Sequence, residues 1–397
     1  MKKTILKAFF KHFTGVDFEV RFWDGETVKY GAGEPALKII FNSELPAGFS
    51  LLDPVLSFGE AYVEGIIDFE GDLEEVIRIV ELNRDQAEQK GIKRMVSAAL
   101  KKMARPASRQ VQKKNIQHHY DLGNDFFSLW LDETMSYSCA YFKSPEDSLE
   151  TAQIQKIDLI LKKLQLQPGE RLLDIGSGWG RLIIRAARQY GVRALGITLS
   201  REQHDATARS IEEQGLTGLV EVQLLNYLDL PEENRFDKIV SVGMFEHVGK
   251  KNLGQYMEKI NRLLVPGGLS MLHTITGTVE HPVNTWIDKY IFPGGYIPSL
   301  RETIWLLPQY NFHLLQAESL RMHYAMTLDR WHLNFTRRLD EVRDSFGEKF
   351  VRMWSLYLRG CAASFRVSGL NVYQLLFSKG LNNGLPLTLE NVYCRPV

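Results

Sequence analysis

The chain has 397 residues with 48 basic and 48 acidic side chains, so its formal net charge is zero. That balance argues against wholesale nucleic-acid binding, and 44% hydrophobic with 24% charged residues is the composition of an ordinary globular protein long enough for two or three domains. Cys139, Cys361 and Cys394 lie too far apart for a disulfide framework or a zinc spacing, which fits a reducing cytosol, and no stretch approaches the ~20 apolar residues of a membrane span.

Residues 1–14 set Ile5, Leu6, Phe9, Phe10 and Phe13 among Lys2, Lys3, Lys7 and Lys11. On a helix this is either a basic amphipathic surface for lipid or a first helix docked on its own domain. Lys7 and Lys11 interrupt the apolar residues, so there is no signal-peptide core. Residues 18–22 and 37–41 read as strands, and residues 73–88 as a helix, which makes 1–90 a small α+β domain. Residues 91–114 hold eight basic side chains and no acidic one. This shift marks a linker, either attracted to anionic headgroups or merely solvated.

Residues 118–142 are aromatic and irregular, a lid over a site or a packed connector, ahead of a helix at about 150–164. Residues 171–180 then read Arg-Leu-Leu-Asp-Ile-Gly-Ser-Gly-Trp-Gly. An apolar run bounded by glycines suits a buried strand, and the pattern after it suits a helix. Glycines there let the backbone approach a ligand closely, and the helix N-terminus offers free N–H groups. A dinucleotide fingerprint would place its third glycine where Arg181 stands, and no Gly-Lys-Ser/Thr follows, so neither a Rossmann nor a Walker A loop is present. A purely structural tight turn is the other reading.

Strands are expected near 171–175, 193–198, 219–225, 237–243 and 269–275, with helices near 180–190, 201–214 and 251–265. Pro266-Gly267-Gly268 reads as the turn into the fifth strand. Such alternation predicts right-handed crossovers and a doubly wound parallel α/β sheet. Ligands bind beyond the carboxyl ends of such strands. There stand the glycines after strand one, then Thr198, Ser200 and Gln203, then Asn226 and Tyr227, then Glu246 and His247, and finally His273. Residues 277–397 are rich in aromatics, among them Trp286, Tyr290, Phe292, Tyr296, Trp305, Tyr310, Phe312, Tyr324 and Trp331. They read as an insertion and tail covering the ligand end, with helices at 327–345 and 347–366.

The spacing Asp-x-Gly-x-Gly-x-Gly resembles the nucleotide loop of S-adenosylmethionine (SAM) methyltransferases. Further pieces are Gly59-Glu60-Ala61-Tyr62, Tyr120-Asp121-Leu122-Gly123-Asn124, Tyr137-Ser138-Cys139-Ala140-Tyr141-Phe142, Phe245-Glu246-His247, residues 292–299 and the segment 361–366. In this order they make the chain similar to the cyclopropane-fatty-acid-phospholipid synthases over nearly its whole length. Two positions depart from the family pattern: Ser177 stands where a cysteine is usual, and Asn226 where aspartate is frequent.

The resemblance implies a class I SAM-methyltransferase sheet with a small N-terminal α+β domain at 1–90 that binds lipid. It also implies a basic linker at 91–114 and a catalytic domain at 115–397 whose insertion 277–330 covers the substrate. The implied reaction moves the SAM methyl carbon, as a methylene bridge, onto a cis double bond of a phospholipid acyl chain through a carbocation deprotonated by bound bicarbonate. Implied SAM contacts are Tyr137, Ser138, Asp174, Gly176, Ser177, Gly178, Trp179, Gly180, Thr198, Leu199, Ser200, Gln203, Asn226 and Tyr227. The implied bicarbonate cradle is Cys139, Glu246, His273, the Ile275 backbone and Tyr324. Cys361 is the other catalytic candidate of the family, although methyl transfer to an alkene needs no covalent thiol and a buried structural cysteine is the preferred reading. The resemblance further implies a homodimer in the cytoplasm, peripheral at the inner face of the membrane. Two alternatives stand beside it: a related methyltransferase acting on lipid branching or on a small soluble substrate, and a non-catalytic lipid- or nucleotide-binding protein.

Overall fold

The computed structural model describes residues 2–83, 122–232 and 235–393, so the basic linker and Cys394 lie outside the described residues. The chain divides into two compact units. The first comprises Met1–Pro106, Asn284–Ile291 and Trp331–Gly369. Its sheet runs in the order β2-β1-β3-β4, with β1 at Phe18–Arg21, β2 at Thr27–Tyr30, β3 at Leu37–Phe41 and β4 at Ile67–Gly71. Aromatic rings fill its core: Phe18 stacks on Tyr30 at 4.9 Å and Phe22 on Phe41 at 5.7 Å between centroids.

The first helix, Lys2–Phe10, buries Leu6 and Phe10 in this core. Lys3 pairs with Asp24 and Glu26, and Lys7 with Glu26. The helix is thus docked on its own domain through Leu6 and Phe10, as in the second reading of residues 1–14, with Thr4, Ile5 and Ala8 left exposed.

Two later pieces of chain join this unit, which corrects the expectation of a contiguous domain at 115–397 with 277–330 as one cover. The helix Thr285–Tyr290 lies against the helix Pro54–Val63. Gly59 makes the contact possible, since a Cβ there would stand 2.4 Å from Trp286 Cδ1. Glu60 accepts from Lys289 Nζ at 2.5 Å and from the Tyr290 hydroxyl at 2.8 Å. Arg352, on the helix Glu348–Val367, sits 4.1 Å over the Tyr62 ring and donates to the carbonyls of Tyr62 and Ile67. The Gly59-Glu60-Ala61-Tyr62 motif is therefore a docking platform for these pieces. Trp286, Tyr290 and Trp331, expected in the cover, belong to this first unit.

The second unit carries a seven-stranded sheet in the order β12-β13-β9-β8-β5-β6-β7. Five strands are parallel: β5 Arg171–Ile175, β6 Arg193–Thr198, β7 Val220–Leu224, β8 Phe236–Val242 and β9 Leu264–Thr276. The helices Arg181–Tyr190, Arg201–Glu213 and Leu253–Leu263 make the crossovers. A short ladder joins β10 His281–Pro282 to β11 Tyr296–Ile297. The sheet is completed by β12 Phe312–Ser319 and by β13 Asn371–Lys379, which is antiparallel to both β9 and β12. Apolar side chains cover both faces, as a doubly wound sheet requires.

Pro266-Gly267-Gly268 is not a turn ahead of β9. The strand runs through it, and the pairing jumps from Phe236 opposite Leu264 to Lys238 opposite Leu269. Gly267, at φ +74°, takes the backbone conformation that this bulge needs.

Candidate active site

The glycine loop leaves β5 with Gly176, Gly178 and Gly180 at φ +82°, +55° and +75°, a region that other residues rarely adopt. The backbone N–H groups of Gly176 and Ser177 both donate to Ile197 O, which ties the loop to β6. A Cβ at Gly180 would stand 2.3 Å from Thr207 Cγ2, so this glycine permits helix packing, whereas nothing lies within 4 Å of a Cβ at Gly178. No side chain caps the helix Arg181–Tyr190, so its first N–H groups are available to a ligand.

A cleft opens over this loop. Its lining takes Tyr137, Ser138, Asp174 and 176–179 from one side, and Thr198, Leu199, Gln203, Asn226 and Tyr227 from the next strand ends. Gly180 and Ser200, expected as contacts, stand outside it. Ser200 caps the helix Arg201–Glu213, its hydroxyl accepting from Gln203 N at 3.3 Å. Thr198 Oγ1 donates to Gln203 Oε1 at 2.8 Å. Tyr227 meets Tyr256 edge-on at 5.4 Å.

The aromatic segment before the sheet is a fixed wall of this cleft. Phe126, Phe127 and Trp130 are buried, and Asn124 Oδ1 accepts from Trp179 Nε1 at 2.8 Å. Phe127 contacts both Tyr137 and Trp179.

Lys156, not singled out in the sequence, also lines the cleft. It is buried and donates to Ser138 Oγ at 2.9 Å. Burial pushes its ammonium down to about 8, partly opposed by Asp132, Cys139 and Asp174. Burial pushes the Asp174 carboxyl up to about 7 against the pull of Lys156. The signal in the sequence was positional. On the helix Leu149–Lys163, Lys156 shares the buried stripe of Gln153, Ile157 and Ile160, where a cation needs a reason.

At the ends of β8 and β9 the expected acid and imidazole come onto neighbouring strands. Glu246, on a short turn after β8, is buried, and its Oε1 accepts the Ile275 N–H at 2.6 Å. The Ile275 N–H, expected in the anion cradle, thus holds the Glu246 carboxyl in place. Glu246 Oε2 and His273 Nε2 are buried without a hydrogen-bond partner among the described residues. His273 lies opposite Val242, and its carbonyl accepts from Gly243 N at 2.9 Å. Burial pushes the Glu246 carboxyl up, and burial followed by Lys156 and Lys163 holds the His273 imidazole well below its usual value. In both groups burial disfavours the charged form.

Cys139 follows Ser138 of the cleft wall, and burial pushes its thiol strongly up, so it remains an S–H donor. Its Sγ lies 3.8 Å from Leu320 O, which also accepts the Tyr324 N–H at 3.1 Å. Leu320 N in turn donates to Val372 O, opposite Ile275. Cys139, Tyr324, Ile275 and Glu246 are thus joined through one lateral set of backbone bonds. Cys361 is not part of it. It lies on the helix Glu348–Val367 of the first unit, and burial pushes its thiol up to about 12, the opposite of an activated nucleophile.

The aromatic cover is thinner than expected. Phe292 meets His247 edge-on at 5.6 Å, and Tyr296 is buried and donates to Glu302. Trp305 is instead 72% exposed, and Phe312 packs on Phe377 within the sheet.

The family model for mycolic acid cyclopropane synthetase matches residues 107–375. The chain belongs to this family. A second model, a domain of unknown function (DUF7884), matches residues 5–91, nearly the segment set apart by the sequence. The chain is 38% identical to a probable fatty acid methyltransferase of Pseudomonas putida over 388 residues, 94% of this chain and 95% of that protein. It is 43% identical to the cyclopropane-fatty-acyl-phospholipid synthase of Escherichia coli K12 over 270 residues, 68% of this chain and 69% of that protein. Among solved structures, a cyclopropane synthase of Mycobacterium tuberculosis matches with a TM-score of 0.64 at 37% identity, covering 67% of this chain and 98% of that one. A mycolic acid cyclopropane synthase complexed with SAH and CTAB matches with a TM-score of 0.64 at 36% identity, covering 67% and 98%. Like other members of the cyclopropane synthetase family, the protein is a SAM-dependent enzyme of lipid methyl transfer or cyclopropanation with the class I methyltransferase fold. No helix among the described residues is long and apolar enough to cross a membrane.

Proposed function

We propose that the protein transfers the methyl carbon of SAM, as a methylene bridge, onto a cis double bond of phospholipid acyl chains, leaving a cyclopropane ring and S-adenosylhomocysteine. SAM supplies an electrophilic methyl group on a sulfonium, so the alkene needs no base to attack it. Attack leaves a carbocation, and ring closure releases one proton from the added carbon. What the chain must contribute is a dry place for that cation and a path for that proton.

The observation that carries this reading is the pair of buried atoms at the ends of the neighbouring strands β8 and β9, Glu246 Oε2 and His273 Nε2, without a hydrogen-bond partner among the described residues. A carboxyl with a free oxygen can exchange a proton there, and a neutral imidazole can donate a hydrogen bond without repelling a cation. These groups fit a small oxyanion. Cys139 S–H, His273 and Glu246 would hold bicarbonate, which supplies a base of moderate strength when bound. Tyr324 completes the set on the same reading.

The same reading has the protein meet unsaturated phospholipid at the cytoplasmic face of a membrane, as a homodimer, with no nucleic-acid partner. Support comes from the lipid substrates in the relatives' names and from the basic composition of 91–114. A methyl-branched product is the second reading, favoured by the fatty acid methyltransferase that matches 94% of the chain.

One assay separates them. The protein is incubated with SAM, bicarbonate and vesicles of unsaturated phospholipid, and the lipid is read by mass spectrometry. A gain of one CH₂ with loss of the alkene is expected. A gain of CH₂ with the alkene kept, or with two further hydrogens, gives the branched reading. No change in the lipid while SAM still binds overturns the lipid substrate.

A further inference from the structure

His273 stands directly opposite Gln374 across the β9–β13 ladder, and Gln374 Nε2 lies 3.3 Å from His273 Nδ1. Both side chains are buried, Gln374 completely so. Behind Gln374 is a second buried polar group. Lys163 Nζ donates to Gln374 Oε1 at 2.8 Å and pairs with Glu318. Lys163 is itself fully buried at the end of the helix Leu149–Lys163.

We infer that the row Glu318–Lys163–Gln374, half-buried at Glu318 and fully buried at Lys163 and Gln374, fixes the tautomer of His273, with the ring proton on Nε2, so that Lys163 and Gln374 are positioning residues for the imidazole of the proposed reaction. An ammonium donates and cannot accept, so the carbonyl oxygen of the Gln374 amide must face Lys163. The amide nitrogen then faces His273, and it too can only donate. Nδ1 must therefore present its lone pair. The reversed amide would set an N–H₂ group against an ammonium where no water can relieve it, and an imidazolium would set Nδ1–H against the amide N–H₂. In a neutral ring whose Nδ1 accepts, the proton is on Nε2. That is the atom left without a partner among the described residues. The row thus presents an N–H donor at the strand ends, which is the polarity an anion requires.

The ionisable groups acting on the ring support the neutral state. Burial acts first, followed by the positive charges of Lys156 and Lys163. Burial lowers the Lys163 ammonium, and its ion pair with Glu318 opposes that effect. The whole row comes from elements far apart in the chain, with Gln374 separated from His273 by 101 positions and from Lys163 by 211.

The inference rests on the proposed function only for the use made of the donor, because the tautomer is a property of the free protein. The test is long-range proton–nitrogen NMR on full-length protein labelled with ¹⁵N-histidine, with the His273 signals assigned by their loss in His273→Gln. A pyrrole-type Nε2 and a pyridine-type Nδ1 are expected in the wild type at neutral pH. In Gln374→Glu the new carboxylate accepts from both sides, and the ring proton is expected to appear on Nδ1. Gln374→Met, which removes the donor and nearly keeps the volume, should give mixed tautomers if the glutamate variant does not fold. A wild-type imidazolium or Nδ1–H tautomer would overturn the inference, as would an Nε2–H ring unchanged in either variant. Normal lipid turnover by His273→Gln, with the wild-type tautomer as stated, would count against the proposed role of His273 and leave the assignment of the row intact.

Discussion

Glu246 Oε1 accepts the Ile275 N–H at 2.6 Å, so the carboxyl on the turn after β8 is held by the strand beside it. The bond occupies one oxygen and fixes the rotamer, while Oε2 stays buried and free to exchange a proton with a ligand. Glu246→Gln keeps an acceptor for Ile275 and the side-chain volume but cannot exchange a proton. Turnover is expected to fall by roughly 10²–10⁴-fold, the usual worth of a positioned acid or base, with SAM affinity and unfolding midpoint near wild type. Product formation measured beside calorimetric SAM binding checks this. Full turnover in the variant would remove Glu246 from the proton path.

Gly178 has φ +55° and open space where a Cβ would point. Gly178→Val therefore acts through backbone strain of about 1–2 kcal/mol and through a branched side chain set into the loop that lines the cleft. The fold should persist while SAM affinity falls by about tenfold or more, equivalent to about 1.4 kcal/mol. Calorimetry on the folded variant reads this directly, and an unchanged affinity would contradict the role given to the loop.

Asp174 is raised from 3.8 to about 7 by burial, against the pull of Lys156. A carboxyl whose folded value lies above its unfolded one favours the fold while protonated. Its contribution is complete below about pH 4 and is lost as the pH rises through about 7. Asp174→Asn cannot ionise and lacks this loss. The stability of the variant relative to wild type should therefore improve steadily between those limits and level off above them. Denaturant titrations of both proteins without SAM, across that range, check the sign. Parallel curves would mean that Asp174 ionises as an ordinary surface carboxylate does.

Cys361 sits on a helix of the first unit with its thiol held protonated by burial. Cys361→Ser should retain turnover and lose only modest stability, about 1 kcal/mol for a small polar change at a partly buried site. Complete loss of turnover with a normal melting curve would return Cys361 to the chemistry.

The inner parallel strands β5, β6, β8 and β9 were readable because they are largely buried on both faces and appear as compact apolar runs, whereas the edge strand β7 showed through the alternation of Val220, Val222 and Leu224. The glycine loop was readable because positive φ leaves glycine as its local signature. By contrast, β12 was hidden: as an edge strand with mostly exposed side chains it carries no apolar run. Ser200 caps the helix after β6, a role that uses the same residue type at the same strand end as a ligand contact. Trp286 and Trp331 were assigned to a substrate cover because an aromatic in sequence does not announce which surface will bury it.

The sequence by itself determined the doubly wound sheet, the loop at 176–180, and the residue types that stand at its strand ends, since all of these follow from local periodicity and backbone conformation. Tertiary structure alone decided that 284–291 and 331–369 complete the first unit. It also decided that Lys156 faces Ser138 across the cleft wall, and that Lys163, Gln374 and His273 form one buried row. The physical reason is the same in each case. A buried polar group must find its partner wherever the fold brings one, and hydrogen bonds between side chains 101 or 211 positions apart leave no local pattern in the chain.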